Sequence, residues 1–591
     1  MPAAATSGGA DSKVRAIRIL LLAASVLIGC GGFVLFLRYG AADGLDWMDF
    51  VRAALILLST FWLAWGALQA FAGLTTKPPL PPRHDGPLIS RCVVLVPVYN
   101  EDPAATFTRI AAMDASLRRT GFGDSFDIAI LSDTRDAAVA DAEKRGFLRL
   151  LTMTGGDGRI FYRRRETNRG RKAGNIEDFI TRSGAAYDLA IILDADSLME
   201  GDTMIEMVRR MEADPALGLL QTLPQIVNAA SRFGRIQQFA AAFYSPVFCR
   251  GLAMMQGRTG PFWGHNAIVR VRAFAESCGL PELSGKPPFG GHILSHDYVE
   301  AALLARAGWS VRVDDDLSGS YEEGPENMVL HAKRDRRWCQ GNLQHSRLLT
   351  APGLLPWSRF VFVQGILAYL SPVIWLVFLL CSIAAPVFAP PVDYFPIEGW
   401  RWPVIPVSQA SQAIALAVCI VGLLFLPKIL ILMDASLRGR AADFGGAAHA
   451  AGSVVTELVF SALSAPVFLM FNTRSVLQVL AGRDGGWPAQ SRGDGVMSLA
   501  EAWMASHWIV ISGALGIGLS LLLSPSLLPW LVPVLMPMLL SPGIIAWSSA
   551  PARSALFQTP AQSALPAVLI LEQQFRKMWQ AEDKAARITA A

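Results

Sequence analysis

Leu189-Ala190-Ile191-Ile192-Leu193-Asp194-Ala195-Asp196 is the stretch that decides the fold. Its five apolar residues carry no polar face, the pattern of a short strand covered on both sides. The run stops at two carboxylates, where such a strand would leave the core. Two earlier runs are built alike: RCVVLVPVY at 91–99, which stops at Asn100-Glu101, and FDIAILS at 126–132, which stops at Asp133. Helical spacing takes over at 103–119 and 137–151, and a short strand at 160–163 precedes a helix opening near Lys172. Strands alternating with helices predict a parallel sheet with helices on both faces. In such sheets ligands bind beyond the carboxyl ends of the strands, where Asn100, Asp133 and Asp194 all stand. Taken singly, an acidic residue after a strand is an ordinary turn or helix cap.

Outward from this unit the composition changes. Residues 88–350 have soluble character and are flanked by long apolar runs. Of the 591 residues 52% are hydrophobic and only 17% charged, against roughly 25% charged in soluble proteins, so much of the chain belongs in lipid. Two spans are expected at 19–37 and 51–74, each close to the ~20 residues that cross a bilayer. Further apolar stretches follow near 360–388, 408–433, 454–472, 503–525 and 526–548. The layout is therefore a two-span segment at 1–87, a catalytic domain at 88–350, a multi-span domain at 351–550 and a tail at 551–591.

Lys13, Arg15 and Arg18 precede the first span, and Lys77, Arg83 and Arg91 follow the second, whereas Asp43, Asp46 and Asp49 lie between them. The positive-inside rule then places the N-terminus and the central domain in the cytoplasm. One difficulty remains: the basic loop holding Arg474, Arg483 and Arg492 also reads as cytoplasmic, which a single span at 454–472 contradicts. A re-entrant hairpin or two tilted passes would restore the parity. The net charge of +4 is small and its basic residues gather beside apolar runs, which argues for membrane lipids rather than nucleic acid as a partner. Seven cysteines occur without a C-x-x-C pair, so neither a disulfide framework nor a zinc site is indicated.

Four motifs carry chemistry. Asp194 and Asp196 suit a divalent cation, since Mg2+ takes one or two carboxylates plus substrate phosphates. Lys172 lies in the basic segment 168–175 (NRGRKAGN) that enters a helix, an arrangement suited to phosphate. Asp297, in SHDYVE at 295–300, is either a helix cap or the general base for an acceptor hydroxyl, with His296 as the alternative base. Trp338, in RDRRW at 334–338, is either a membrane-interface anchor or a face on which a sugar stacks, with Arg337 on a diphosphate.

In this order, Pro97-Val98-Tyr99-Asn100-Glu101, Asp133, Lys172-Ala173-Gly174-Asn175, Asp194-Ala195-Asp196, His296-Asp297 and Arg337-Trp338 resemble the processive family-2 membrane glycosyltransferases, which include cellulose and hyaluronan synthases. The resemblance implies an α/β GT-A-type cytoplasmic domain inserted between transmembrane helices. It implies an inverting transfer from UDP-glucose to a growing glucan, with Mg2+, or Mn2+ in its place, on Asp194 and Asp196. Asn100, Glu101, Asp133, Lys172, Asp194 and Arg337 would bind the donor, Asp297 would act as base, and Trp338, His265 and His296 would face the acceptor. Ser295-His296 stands where cellulose synthases have Thr-Glu, and Arg334 where they have Gln. The tail is also too short for a cyclic-di-GMP-binding barrel. The phrases FWGHNAIVR (262–270), SYEEGPENM (320–328) and KRDRRWCQGN (333–342) instead resemble the inner-membrane branch that makes osmoregulated periplasmic glucans. That implies a linear β-1,2-glucan backbone, coupled export, and a periplasmic glucan-processing protein as partner. Acyl carrier protein accompanies some members, although no segment here carries that contact. A cellulose-like or other processive β-glucan synthase is the alternative.

Overall fold

The computed structural model describes residues 8–40, 44–76, 81–389, 394, 401–402, 410–484 and 495–590. Asp43, Lys77 and Arg492 lie outside them. Two long helices, α1 (Gly8–Gly40) and α2 (Trp47–Thr75), open the chain. Then come β1 (Cys92–Val98), α3 (Pro103–Arg119), β2 (Phe126–Ser132), α4 (Ala137–Thr154), β3 (Ile160–Arg164), α5 (Arg171–Ser183) and β4 (Leu189–Ile192). The second half of the domain holds β5 (Leu198–Met199), α6 (Gly201–Ala213), β6 (Leu217–Gln221), β7 (Gln225–Val227), α7 (Arg232–Gln256), β8 (Ala267–Arg270) and α8 (Val271–Ser277). It closes with α9 (His296–Arg306), β9 (Ser310–Val313), β10 (Ser320–Glu323) and α10 (Met328–Gln344).

The main sheet runs β3-β2-β1-β4-β8-β6-β9. Strands β1 to β4 pair in parallel as expected, but β8 is antiparallel to both β4 and β6. The sheet is therefore mixed, which corrects the all-parallel reading. The cause is α7: this 25-residue helix and the loop after it return the chain to the cavity edge, so β8 starts where its neighbours end. His265 consequently sits at the same edge as Asp194. A small sheet, β5-β10-β7, caps that edge. Buried apolar residues cover both faces of the main sheet, and each residue of β1 and β4 except the intermediate Pro97 is buried, as their unbroken apolar runs require.

After the domain come α11 (Pro356–Phe388), α12 (Ala410–Leu437), α13 (Ala447–Leu480), α14 (Leu499–Leu523), α15 (Leu528–Leu539), α16 (Ser541–Ser549), α17 (Pro560–Ser563) and α18 (Ala567–Ala590). Among the described residues six helices (α1, α2, α11, α12, α13 and α14) are long and apolar enough to cross a membrane. The pair 525–539 and 541–549, bent by 55°, would add one more if it is a single span. This is a multi-pass membrane protein.

Helix α13 reaches the domain through both of its halves. Near its start Glu457 accepts from the Tyr244 hydroxyl of α7 at 3.2 Å, and Ser453 accepts from the amide of Phe557 at 3.0 Å. Near its end Val476 and Val479 pack on Cys339 and Leu343 of α10, and Arg336 donates to Gln478 at 3.3 Å. The stretch read as a span at 454–472 thus lies within a longer helix that bonds to residues of 88–350 on both sides of it.

Residues 551–591 are likewise more than a tail. Helix α18 lays Val568, Leu569, Leu571 and Trp579 into the core beneath α3. Arg149 of α4 stacks on Trp579 at 4.1 Å and pairs with Glu582 and Asp583, both at 2.7 Å. The bundle meets the domain at two glycines: a Cβ on Gly73 of α2 would lie 1.9 Å from the Val247 carbonyl, and one on Gly251 of α7 1.9 Å from that of Gln69. Only hydrogen at both places lets these backbones touch.

Candidate active site

A cavity of about 1630 Å³ opens at the carboxyl edge of the sheet. Ligand pockets usually span ~300–1,000 Å³, so there is room for a donor and part of an acceptor together. Its walls carry Lys172, Asp194, Asp196, His265, His296, Asp297, Arg337 and Trp338. Eight of the eleven residues singled out from sequence therefore share one space; Asn100, Glu101 and Asp133 are not in its lining.

The β4 side is a set of paired charges. Lys172, in the first turn of α5, bonds to Asp194 and donates to the Gly264 carbonyl at 2.7 Å. Asp133 is gripped by Arg165, whose Nε and Nη2 reach its two oxygens at 2.7 Å each. Arg165, which sequence reading did not single out, is thus the partner of a predicted site residue. Asn100 has a left-handed backbone (φ 55°) and its side-chain oxygen accepts from the amides of Arg135 and Asp136 at 3.0 and 3.1 Å. It shapes the loop after β2. Glu101 acts electrostatically on Arg337: burial and Arg334 push the guanidinium pKa down, while Asp194 and Glu101 oppose them.

Asp194 and Asp196, one residue apart at a strand end, fit a Mg2+ or Mn2+ that completes its shell with phosphate oxygens. No group of three or more His, Cys, Asp or Glu side chains suited to a metal occurs among the described residues, so protein side chains alone do not complete such a shell. His265 faces Glu322 of β10 at 3.5 Å. Burial disfavours its charge, but Asp194, Glu322 and Asp196 outweigh that and hold its pKa above the ordinary value. Glu322 belongs to the SYEE phrase, which sequence reading quoted without giving it a role.

The opposite side is carried by helices. Asp297 lies in the first turn of α9, and no side-chain cap bond is made at Ser295. Burial raises its pKa, His296 pulls it down and Glu300 pushes it up, for a net rise. His296 Nδ1 lies 3.0 Å from Glu300. Burial lowers the histidine's pKa, yet Glu300 and Asp297 raise it further, and the balance is upward. The start of α9 is fixed by the end of α10. A Cβ on Gly341 would meet the Ser295 hydroxyl at 2.1 Å, and His345 Nε2 binds the Ser295 carbonyl at 2.9 Å. Asp297 shares the cavity wall with Trp338, which is 45% exposed and covered on one face by Arg334 at 4.7 Å.

Below Trp338 the cavity reaches Gly365, Ala368 and Tyr369 of α11. Tyr369 donates to Asp335 at 3.1 Å, and burial raises the pKa of that carboxyl. At the far end α18 contributes Glu572, Gln573 and Arg576. A polar helix after the last apolar run gave no hint of this. The helical spacing of Val568, Leu571, Phe575 and Trp579 is the signal that could have found it.

Residues 93–277 match the family described as Glycosyl transferase family 2, and residues 189–426 match Glycosyl transferase family group 2. The chain is 62% identical to a "Glucans biosynthesis glucosyltransferase H" of Cereibacter sphaeroides, over 97% of each chain. It is 40% identical to the protein of that name in Vibrio cholerae, over 90% of this chain and 74% of the other. Among solved structures, a mannosyltransferase from Pyrobaculum calidifontis in complex with GDP-Man and Mn2+ is 16% identical, with TM-score 0.44, over 67% of this chain and 98% of the other. Sequence identity at this level over nearly the whole length makes the chain a member of the glucans biosynthesis glucosyltransferase H family of membrane-embedded family-2 glycosyltransferases.

Proposed function

We propose that the protein transfers glucose from UDP-glucose, with inversion, onto a linear β-1,2-glucan. The observation that carries this is the placement of Asp297, a half-buried carboxyl with raised proton affinity, in one cavity with the Lys172–Asp194 pair and with Trp338. Asp297 removes the proton of the acceptor hydroxyl as its oxygen attacks the anomeric carbon. The bond from that carbon to the diphosphate breaks on the opposite face, and UDP leaves with the electron pair. A positioned base of this kind contributes about 10²–10⁴ in rate.

Lys172 and Arg337 neutralise the leaving diphosphate, and Asp133 with Arg165 receives the base end of the nucleotide. Mg2+, or Mn2+, held by Asp194 and Asp196 would supply further charge neutralisation when bound. Trp338, His265 and His296 face the acceptor sugar, while Arg334 leaves it one ring face of Trp338. Gly365 and Tyr369 at the cavity floor support delivery of the product into the helical bundle and across the inner membrane. Basic residues beside the spans support a cytoplasmic catalytic domain. A periplasmic glucan-processing protein would receive the exported chain.

The test is incubation of the purified protein in proteoliposomes with labelled UDP-glucose, with Mg2+ and then with EDTA, followed by linkage analysis. We expect 1,2-linked glucose that stops forming on chelation. Predominantly 1,4-linked product would replace the β-1,2 reading with a cellulose-like one.

A further inference from the structure

Arg109 stands in the second turn of α3 and is 4% exposed. Its terminal nitrogens go to two different parts of the site. Nη1 donates to the main-chain carbonyl of Ala195 at 3.2 Å, and Nη2 pairs with Glu323 of β10 at 2.7 Å. Ala195 is the residue between the two cavity carboxylates. Glu323 is the neighbour of Glu322, which faces His265. One guanidinium thus ties the two-carboxylate loop to the strand that closes the cavity edge.

Burial disfavours the charge on Arg109, but nearby carboxylates, Glu323 first, outweigh it and raise its pKa. A buried guanidinium is costly unless carboxylates and hydrogen bonds compensate it. Here the ion pair to Glu323 and the hydrogen bond to the Ala195 carbonyl do so. Fixing the Ala195 carbonyl fixes the main chain on both sides of it, and therefore the directions in which Asp194 and Asp196 project.

We propose that Arg109 is a positioning residue that sets Asp194 and Asp196 for a divalent cation, and that Glu323, its ion-pair partner on β10, belongs to the same device. The proposal rests on the reading of those two carboxylates as the metal site. Outer partners of metal-binding carboxylates typically change metal affinity by about 10–100-fold when removed. A guanidinium whose only role is to fill the core would change folding stability and leave cation affinity alone.

The experiment uses the full-length protein in nanodiscs and measures binding rather than turnover. Mn2+ is titrated alone by electron paramagnetic resonance, and UDP by calorimetry with and without Mn2+. Arg109→Gln is expected to weaken Mn2+ roughly tenfold, leave metal-free UDP binding unchanged, and be partly rescued by Arg109→Lys. Glu323→Gln should weaken Mn2+ by about threefold, a smaller effect because it acts through Arg109. Wild-type Mn2+ affinity in both Arg109→Gln and Glu323→Gln overturns the proposal. If Arg109→Gln does not fold, Glu323→Gln decides alone. Asp196→Asn separates the two layers: if it binds Mn2+ like the wild type, the metal reading fails, and this proposal with it.

Discussion

The two sides of the cavity are built on different principles. On the β4 side the groups stand at strand ends and arrive already paired, Lys172 with Asp194 and Arg165 with Asp133. On the α9 side they ride on two helices locked together at Gly341, and Asp297 is half-buried with its proton affinity raised. A paired cation can pass from a side-chain carboxylate to a ligand phosphate with little change in its surroundings. An anion-binding wall therefore gains from pairing. A base needs the reverse, an environment that makes its charge uncomfortable enough to accept a proton.

The first way to break this contrast is Asp297→Asn. Turnover should fall by about 10²–10⁴ while UDP affinity measured by calorimetry stays near wild type. Equal losses in both would merge the two sides into one. Lys172→Met should do the opposite, weakening UDP binding by about 1.5–3 kcal/mol, the worth of a hydrogen bond to a charged group. Its turnover at saturating donor should fall less than its affinity. Trp338→Ala tests the acceptor wall: losing the ring face, worth about 0.5–1.5 kcal/mol, should raise the acceptor KM and shorten the product seen by gel filtration.

The smallest effect sharpens the contrast rather than testing it. Asp297 must be deprotonated to act, so its raised pKa puts the acid limb of the pH–rate profile above that of an ordinary carboxylate. His296, whose own pKa is raised, holds Asp297 down when it is protonated. In His296→Gln the limb should therefore move to higher pH. A downward move would mean that Glu300, left without its partner, is not what Asp297 feels.

Much of the β4 side was legible because an apolar strand that ends in carboxylates announces both the strand and its edge. Asp194, Asp196 and Lys172 need no tertiary information beyond that. Asp133 was legible, but its partner was not, since nothing in Arg163-Arg164-Arg165 says which of three neighbouring cations turns toward β2. His265 needed the antiparallel sense of β8, which only the return through α7 decides. The position of α13 was hidden because hydropathy reports how long and apolar a helix is, not where its ends make contact. Arg109 was invisible, because its partners Ala195 and Glu323 lie far from it in sequence and meet it only after α3 has packed on the sheet.

The paired glycines where α2 crosses α7 carry a consequence for the product. Gln69 of α2 also donates to the Phe248 carbonyl at 3.0 Å, and Arg18 of α1 donates to the carbonyls of Met255 and Gln256 at 2.6 and 2.8 Å. Such a junction has no slack, so the synthetic chamber and the bundle form one frame. A rigid-body stroke of the whole domain against the first two helices would have to part these contacts. The number of sugars in a finished chain becomes a contest between two rates, the next addition and escape, and anything that slows addition shortens the product without altering a single contact in the frame.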